Sequence, residues 1–191
     1  MRSSFFQDRV FDPPALLREP LPKAEYQNCT FKQCDFESFN FSEYKFEDCK
    51  FEDCNLSLAL LSGAVFQETS FEGCKMLGLR FEDCNPFALS FSFKNCQLND
   101  SSFYGMNIKK TIFTDCHLRE IDFSNANLTG VFFNSCDLAQ SIFSNSLLEK
   151  ADFRTASNFS IDPTKNRLKQ AKFSALGLSG LLDNYDLIIE H

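Results

Sequence analysis

The sequence predicts an all-β solenoid on three observations. A large apolar residue recurs at every fifth position, as Phe31, Phe36, Phe41, Phe46 and Phe51. A period of five fits neither a helix (3.6) nor a strand (2.0), so it marks a repeat. One five-residue unit cannot bury its own apolar side chain, so units must stack on one another to share a core. The apolar type also recurs at twenty: Phe93, Phe113, Phe133 and Phe153 form one column, and Leu98, Leu118 and Leu138 the next. Phe103, Phe123 and Phe143 follow, then Ile108, Leu128 and Leu148. This alternation puts twenty residues in each coil, with coils about 4.8 Å apart.

The repeat can be followed in order. Residues 1–25 read as an opening edge strand, Phe5 to Phe11, and a proline-rich excursion, Pro13 to Pro22. Proline supplies no ladder donor, and at an edge it discourages end-to-end stacking of rods. Phe6, Phe11, Leu16 and Leu21 nevertheless keep the phase of Phe31, so a first coil could begin there. Residues 26–173 are the solenoid proper. Its phase fails at Pro86 and resumes two residues out of step at Phe93, so 84–92 is a bulge or corner loop carrying Pro86, Phe87 and Leu89. Such an interruption is either harmless or a contact site. A second insertion is expected at 160–170, with Phe173 closing the last coil. Residues 174–191 read as a short helical cap: Ser174 is an N-cap, and Leu178, Leu181, Leu182 and Tyr185 share one helical face. Leu187, Ile188 and Ile189 read as a closing strand. The cap, with Leu176, either covers the end of the core or seals against a second copy.

Composition narrows the function. The 191 residues contain 24 Phe and no Trp, one side-chain shape tiled along an axis. All nine cysteines (Cys29, Cys34, Cys49, Cys54, Cys74, Cys84, Cys96, Cys116 and Cys136) fall at the small slot two residues before a core position. They read as buried free thiols of a reducing compartment, since a spacing of five is the repeat and not a zinc signature. Storage of metal by these thiols is a weaker third reading. No apolar run of membrane length and no charged-then-apolar leader is seen, so a cytoplasmic location with no membrane is expected. Phosphate-loop, nucleophile-elbow and zinc-protease motifs are lacking, and His117 and His191 have no partners, so the chain is read as a non-enzyme without cofactor or metal.

The formal charge is −7, and all of that excess falls between Glu25 and Asp83. Direct nucleic-acid binding is disfavoured, because phosphate contacts need a basic surface. Glu43, Glu47, Asp48, Glu52, Asp53, Glu68, Glu72, Glu82 and Asp83 each follow a core residue by one or two places. They form either a solvated face or an acidic face for a basic partner or a site that normally holds DNA. Ile112 and Phe132 break the polar rule and stack twenty apart.

The unit (a small residue, a polar one, Leu or Phe, then two polar ones) resembles that of the pentapeptide-repeat proteins. The resemblance implies a right-handed, four-sided β-helix with one unit per side. Three stretches, CNLSLALLSGAVFQETSFEGCKMLGLRF (54–81), CQLNDSSFYG (96–105) and NFSIDPTKNRLKQAKFS (158–174), resemble bacterial immunity proteins that protect DNA gyrase from peptide toxins such as albicidin and microcin. They are more distantly similar to Qnr-type quinolone-resistance proteins. That resemblance implies a DNA mimic that binds a type II topoisomerase and forms a homodimer through its C-terminal cap. The competing expectation is an interaction module with no topoisomerase role.

Overall fold

The computed structural model describes residues 4–13, 16, 21–87, 89–185 and 187. They form a right-handed, four-sided β-helix whose short strands pair in parallel with the coil before and after. The strands are β1 (Ser4–Gln7), β2 (Val10–Phe11), β3 (Ala24–Gln27), β4 (Thr30–Lys32), β5 (Lys45–Glu47), β6 (Lys50–Glu52), β7 (Val65–Gln67), β8 (Thr69–Glu72), β9 (Phe91–Lys94), β10 (Ile112–Thr114) and β11 (Phe132–Asn134). The first wall is the sheet β1-β3-β5-β7, and the second is β2-β4-β6-β8-β9-β10-β11. Single bridges continue the ladders on the third and fourth walls, such as Gln97 to His117 and Ser102 to Asp122.

Each corner is turned by the residue two places after the core residue. Asp48, Asp53, Asn95, Asp115 and Asn125 lie there with φ between 52° and 59°. This left-handed conformation costs an L-residue about 1–2 kcal/mol, and Asn and Asp tolerate it best. The corner amide donates to the next coil, as from Asp48 N to Gln67 O at 3.0 Å. A corner in every five residues prevents both helix and long strand, which explains the odd period.

The core is a stack of rings. Phe11, Phe31, Phe51, Phe71, Phe93, Phe113, Phe133, Phe153 and Phe173 run as one column up the second wall, with centroids 4.6–5.4 Å apart. Phe81, Phe103, Phe123 and Phe143 stack likewise on the fourth wall. Rings of the two opposite walls meet edge to face, as Phe103 and Phe113 do at 6.0 Å and 85°. After the slip, Phe on these two opposite walls fills the width and the walls between carry the thinner Leu and Ile; before it, the first wall is aromatic as well, with Phe6, Tyr26, Phe46 and Phe66 stacked on one another.

Several details differ from the sequence reading. The ladder starts before residue 26. Ser4 pairs with Ala24 and Phe11 with Phe31, and a corner at Asp8 divides the expected edge strand into two walls of a first coil. Pro14 and Pro20 lie outside the described residues. Register is twenty through β8, widens to twenty-two from Thr69–Phe91 to Arg80–Ser102, and returns to twenty at Ser92–Ile112. The first-wall sheet stops at this slip, while the second runs through it. At 160–170 there is no net insertion: Leu147 pairs with Arg167 and Asp152 with Lys172, both at twenty. The irregular look of that stretch arises because Asn158 and Pro163 hold the expected core slots, and Phe159 and Ile161 are buried instead.

The cap is two 3-10 helices, Ala175–Leu181 and Asp183–Tyr185, rather than an α-helix. Ser174 caps the first, accepting from Gly177 N. The face that meets the rod is mostly glycine, with Leu181 alone of the expected leucines packed against the core. A Cβ on Gly180 would lie 2.2 Å from Phe159 O, and one on Gly177 would lie 2.9 Å from the Phe159 ring. Ile161 N donates to Gly180 O at 2.8 Å, which fixes this close approach. Of the expected closing strand, Ile188 and Ile189 lie outside the described residues.

Candidate functional site

With the interior filled by rings, the working surface is the outside of the rod. The nine acids singled out in the sequence divide into two sets. Glu43 pairs with Lys23, Glu52 with Lys32 at 2.9 Å, Glu72 with Lys94 at 2.6 Å, and Glu82 and Asp83 with Arg80 at 3.5 and 3.4 Å. The Lys23 ammonium holds the Glu43 carboxyl below the usual carboxylate range. Three of these pairs join adjacent coils, two on the second wall and Lys23 with Glu43 at the corner before the first. They are exposed and screened by water, so they add little stability, but each neutralises part of the acidic face.

Glu47, Asp48, Asp53 and Glu68 make no ion pair among the described residues. Asp48 and Glu68 belong to one corner ridge, Asp8, Asn28, Asp48 and Glu68, between the first and second walls. Asn28 Nδ2 donates to Asp8 Oδ1 at 2.6 Å, and Ser90 Oγ donates to Glu68 Oε1 at 3.0 Å. Asp53 stands on the opposite corner of the second wall. Its carboxylate lies where a side chain on Gly73 would stand, 2.3 Å from that Cβ position, so glycine there leaves the acid room. Neighbouring carboxylates about 5 Å apart on the ridge repel by about 0.8 kcal/mol in water, a tension that a basic partner would relieve.

The slip places Pro86 and Phe87 outward, Phe87 with 84% exposure, while Leu89 is half-buried against the core. Beside them is a cavity of about 210 Å³ lined by Pro86, Leu89, Tyr104 and Met106. At the C-terminal end, Leu176 is 87% exposed, Leu178, Leu182, Tyr185 and Leu187 are exposed, and Leu181 is half-buried. Packing the glycine face on Phe159 turns Leu176, Leu178 and Leu182 away from the rod, while Leu181 packs against the core. Ile189 lies outside the described residues. Ile112 pairs with Phe132 as the spacing predicts, and both are exposed.

All nine cysteines are buried and free. Cys34, Cys54, Cys74, Cys96, Cys116 and Cys136 occupy one small-slot column that passes straight through the slip; Cys54, Cys74 and Cys96 each donate to a backbone carbonyl one coil away at 3.4 Å. Burial pushes the Cys49 thiol up to about 12, so it stays protonated at neutral pH.

The cross-coil ion pairs were missed in the sequence, although the signal was present: Lys23 and Glu43, Glu25 and Lys45, and Lys32 and Glu52 are each twenty apart. Charge counted along the chain conceals what charge counted along a wall reveals.

The model for the pentapeptide repeat region matches residues 24–91 and 89–162. Among solved structures, the chain is similar to full-length QnrB1, a plasmid-mediated fluoroquinolone resistance protein, at 18% identity, covering 96% of this chain and 97% of that one, with a TM-score of 0.47. It is also similar to HetL, a pentapeptide-repeat protein involved in heterocyst differentiation regulation from the cyanobacterium Nostoc sp. strain PCC 7120, at 11% identity, covering 88% and 84%, with a TM-score of 0.33. No curated protein matches. Since the repeat model spans well over half its length and the coils bear out its period, the chain belongs to the pentapeptide-repeat family.

Proposed function

We propose that this chain is a non-enzymatic, DNA-mimicking protein of the cytoplasm that binds a type II topoisomerase, DNA gyrase, and protects it from a toxin or a quinolone-like drug. The observation that carries this reading is a set of unpaired acids, Glu47, Asp48, Asp53 and Glu68, at both corners of an unbroken rod whose interior is packed solid. The sequence likeness of residues 54–81, 96–105 and 158–174 to gyrase-protecting immunity proteins supplies the target. Magnitudes say how the mimicry works. Eight steps of about 4.8 Å make a rod near 40 Å, and duplex DNA of that length carries on the order of 23 charges. The chain carries −7. Shape and a few placed carboxylates therefore carry the likeness, not total charge. The outward leucines of the cap form the homodimer contact, which doubles the length of the rod.

The test is gyrase supercoiling and gyrase binding, each with and without a gyrase poison. Charge reversal at Glu47, Asp48, Asp53 and Glu68 is expected to weaken binding at least tenfold, and reversal of the paired Glu43, Glu52 and Glu72 much less. If micromolar protein changes neither supercoiling nor poisoning, the reading fails.

One observation favours the second reading, an interaction module with no topoisomerase role: five of the nine acids are already neutralised by cross-coil or neighbouring cations. On that reading all nine reversals leave gyrase untouched, and the acids serve solubility.

A further inference from the structure

Charge read along the first wall reverses sign at the slip. Before it, the outward and corner slots carry Asp8, Glu25, Glu47, Asp48 and Glu68 against Lys45 alone, four net negative. After it, the same slots carry Lys109, Lys110, Lys150, Arg167 and Lys169 against Glu149 alone, four net positive. None of those five cations has an ion pair among the described residues. At the boundary stands the slip itself, with exposed Phe87 beside the cavity of about 210 Å³. The wall is thus an acidic half, an apolar boss and a basic half, in that order.

We infer that the first wall is a self-complementary docking surface for a second copy of this chain, laid antiparallel. A two-fold axis across the wall at the slip lays the acidic half on the partner's basic half with the lateral position of every slot kept; the charged contacts fall at the fourth and first levels, while the third faces the uncharged Asn127, Thr129 and Gly130 and the second a level where Glu149 and Lys150 cancel. The fourth level then faces the sixth, so the corner residue Glu68 meets Lys110 in both halves of the contact. Both have positive φ, 46° and 61°, and both corners are exposed. The first level, with Gln7 and Asp8, meets the ninth, with Lys169. On the axis, Phe87 of each copy reaches the cavity between Leu89 and Tyr104 of the other. An apolar centre rimmed by charge is the ordinary anatomy of a protein interface. A parallel arrangement would set like charge on like. A wall about 40 Å long and roughly 10–15 Å wide offers about 400–600 Å² per copy, less than the ~800 Å² of a standard stable interface, so the association is weak and sensitive to salt. This surface is separate from the cap.

The experiment is sedimentation velocity of the full chain in a Leu176→Asp, Leu178→Asp background, which silences the cap and reads the wall alone. Association is expected at low salt and is lost between about 0.05 M and about 0.5 M salt. Glu68→Lys alone and Lys110→Glu alone each weaken it by roughly tenfold or more. The two variants mixed together, or the swap combined in one chain, restore it, because a lysine at 68 then meets a glutamate at 110. Phe87→Ser weakens it without changing the salt dependence. A chain that is monomeric at every concentration and salt, or reversals that neither weaken nor rescue, would overturn the inference.

Discussion

Truncating one ring at the middle of the rod tests whether the core is one continuous column. Phe113 is fully buried, stacked on Phe93 at 5.0 Å and Phe133 at 5.4 Å, with the edges of Phe103 and Phe123 at 6.0 and 6.4 Å. A buried Phe removes about 150–250 Å² from water, worth about 4–6 kcal/mol at ~25 cal/mol per Å² as an upper bound. Phe113→Ala is therefore expected to cost about 3–5 kcal/mol, a fifth or more of a typical total of about 5–15. Phe11, at the first coil, is stacked among the described residues from one side only, by Phe31. Phe11→Ala is expected to cost roughly half as much. Equilibrium urea unfolding followed by far-ultraviolet circular dichroism measures both. In a stack where each level touches only its neighbours, the central variant should also show a lower urea slope as the two ends uncouple. Equal losses for the two variants, or a loss under about 1 kcal/mol at Phe113, would refute the continuous core.

Two further outcomes follow from the last coil. Gly180→Ala puts a methyl 2.2 Å from Phe159 O, so the cap must lift; a cost of about 1–3 kcal/mol is expected, seen as faster hydrogen exchange at the Ile161 amide while the coils stay folded. An Ile161 amide as protected as before would show that the cap docks some other way. Asp152 is buried under the Arg154 guanidinium, which contacts it at 2.7–3.1 Å and holds its carboxyl below the ordinary value. The stabilisation is present in full above about pH 4 and is lost as pH falls through the lowered value. Asp152→Asn should thus be less stable than the parent at pH 7, with the gap closing as pH falls through the lowered value, measured by urea midpoints; a gap that stays the same from neutral pH into acid would rule out the ion pair as its cause.

Much of the architecture was legible because the repeat writes it twice, once as a period of five and again as a period of twenty. Phe113 could be placed over Phe93 from spacing alone. The misreadings have one physical source: where the backbone leaves the repeat, side chains are chosen by space and not by position. Asn158 and Pro163 hold core slots by count, yet Phe159 and Ile161 are the residues that reach the core, so a stretch of normal length looks like an insertion. The cap was read as a short helix with one leucine face, whereas contact with Phe159 selects the two glycines and leaves Leu178, Leu182 and Tyr185 outward, with Leu181 against the core. The acids were legible one by one. Their pairing was not, because Lys32 meets Glu52 through a neighbour relation that exists only once the coils are stacked.

The left-handed corner in every five residues has a consequence for how such a molecule can change. Folding duty rests on the inward residue, the small residue before it and the bend, and the remaining positions form an outer grid with a pitch fixed by the hydrogen-bond spacing. A letter on that grid can be rewritten without unfolding the coil, at most releasing a paired neighbour such as Glu52 from Lys32. The exterior then behaves as a blank ruled page, and two chains with the same skeleton can carry unrelated messages.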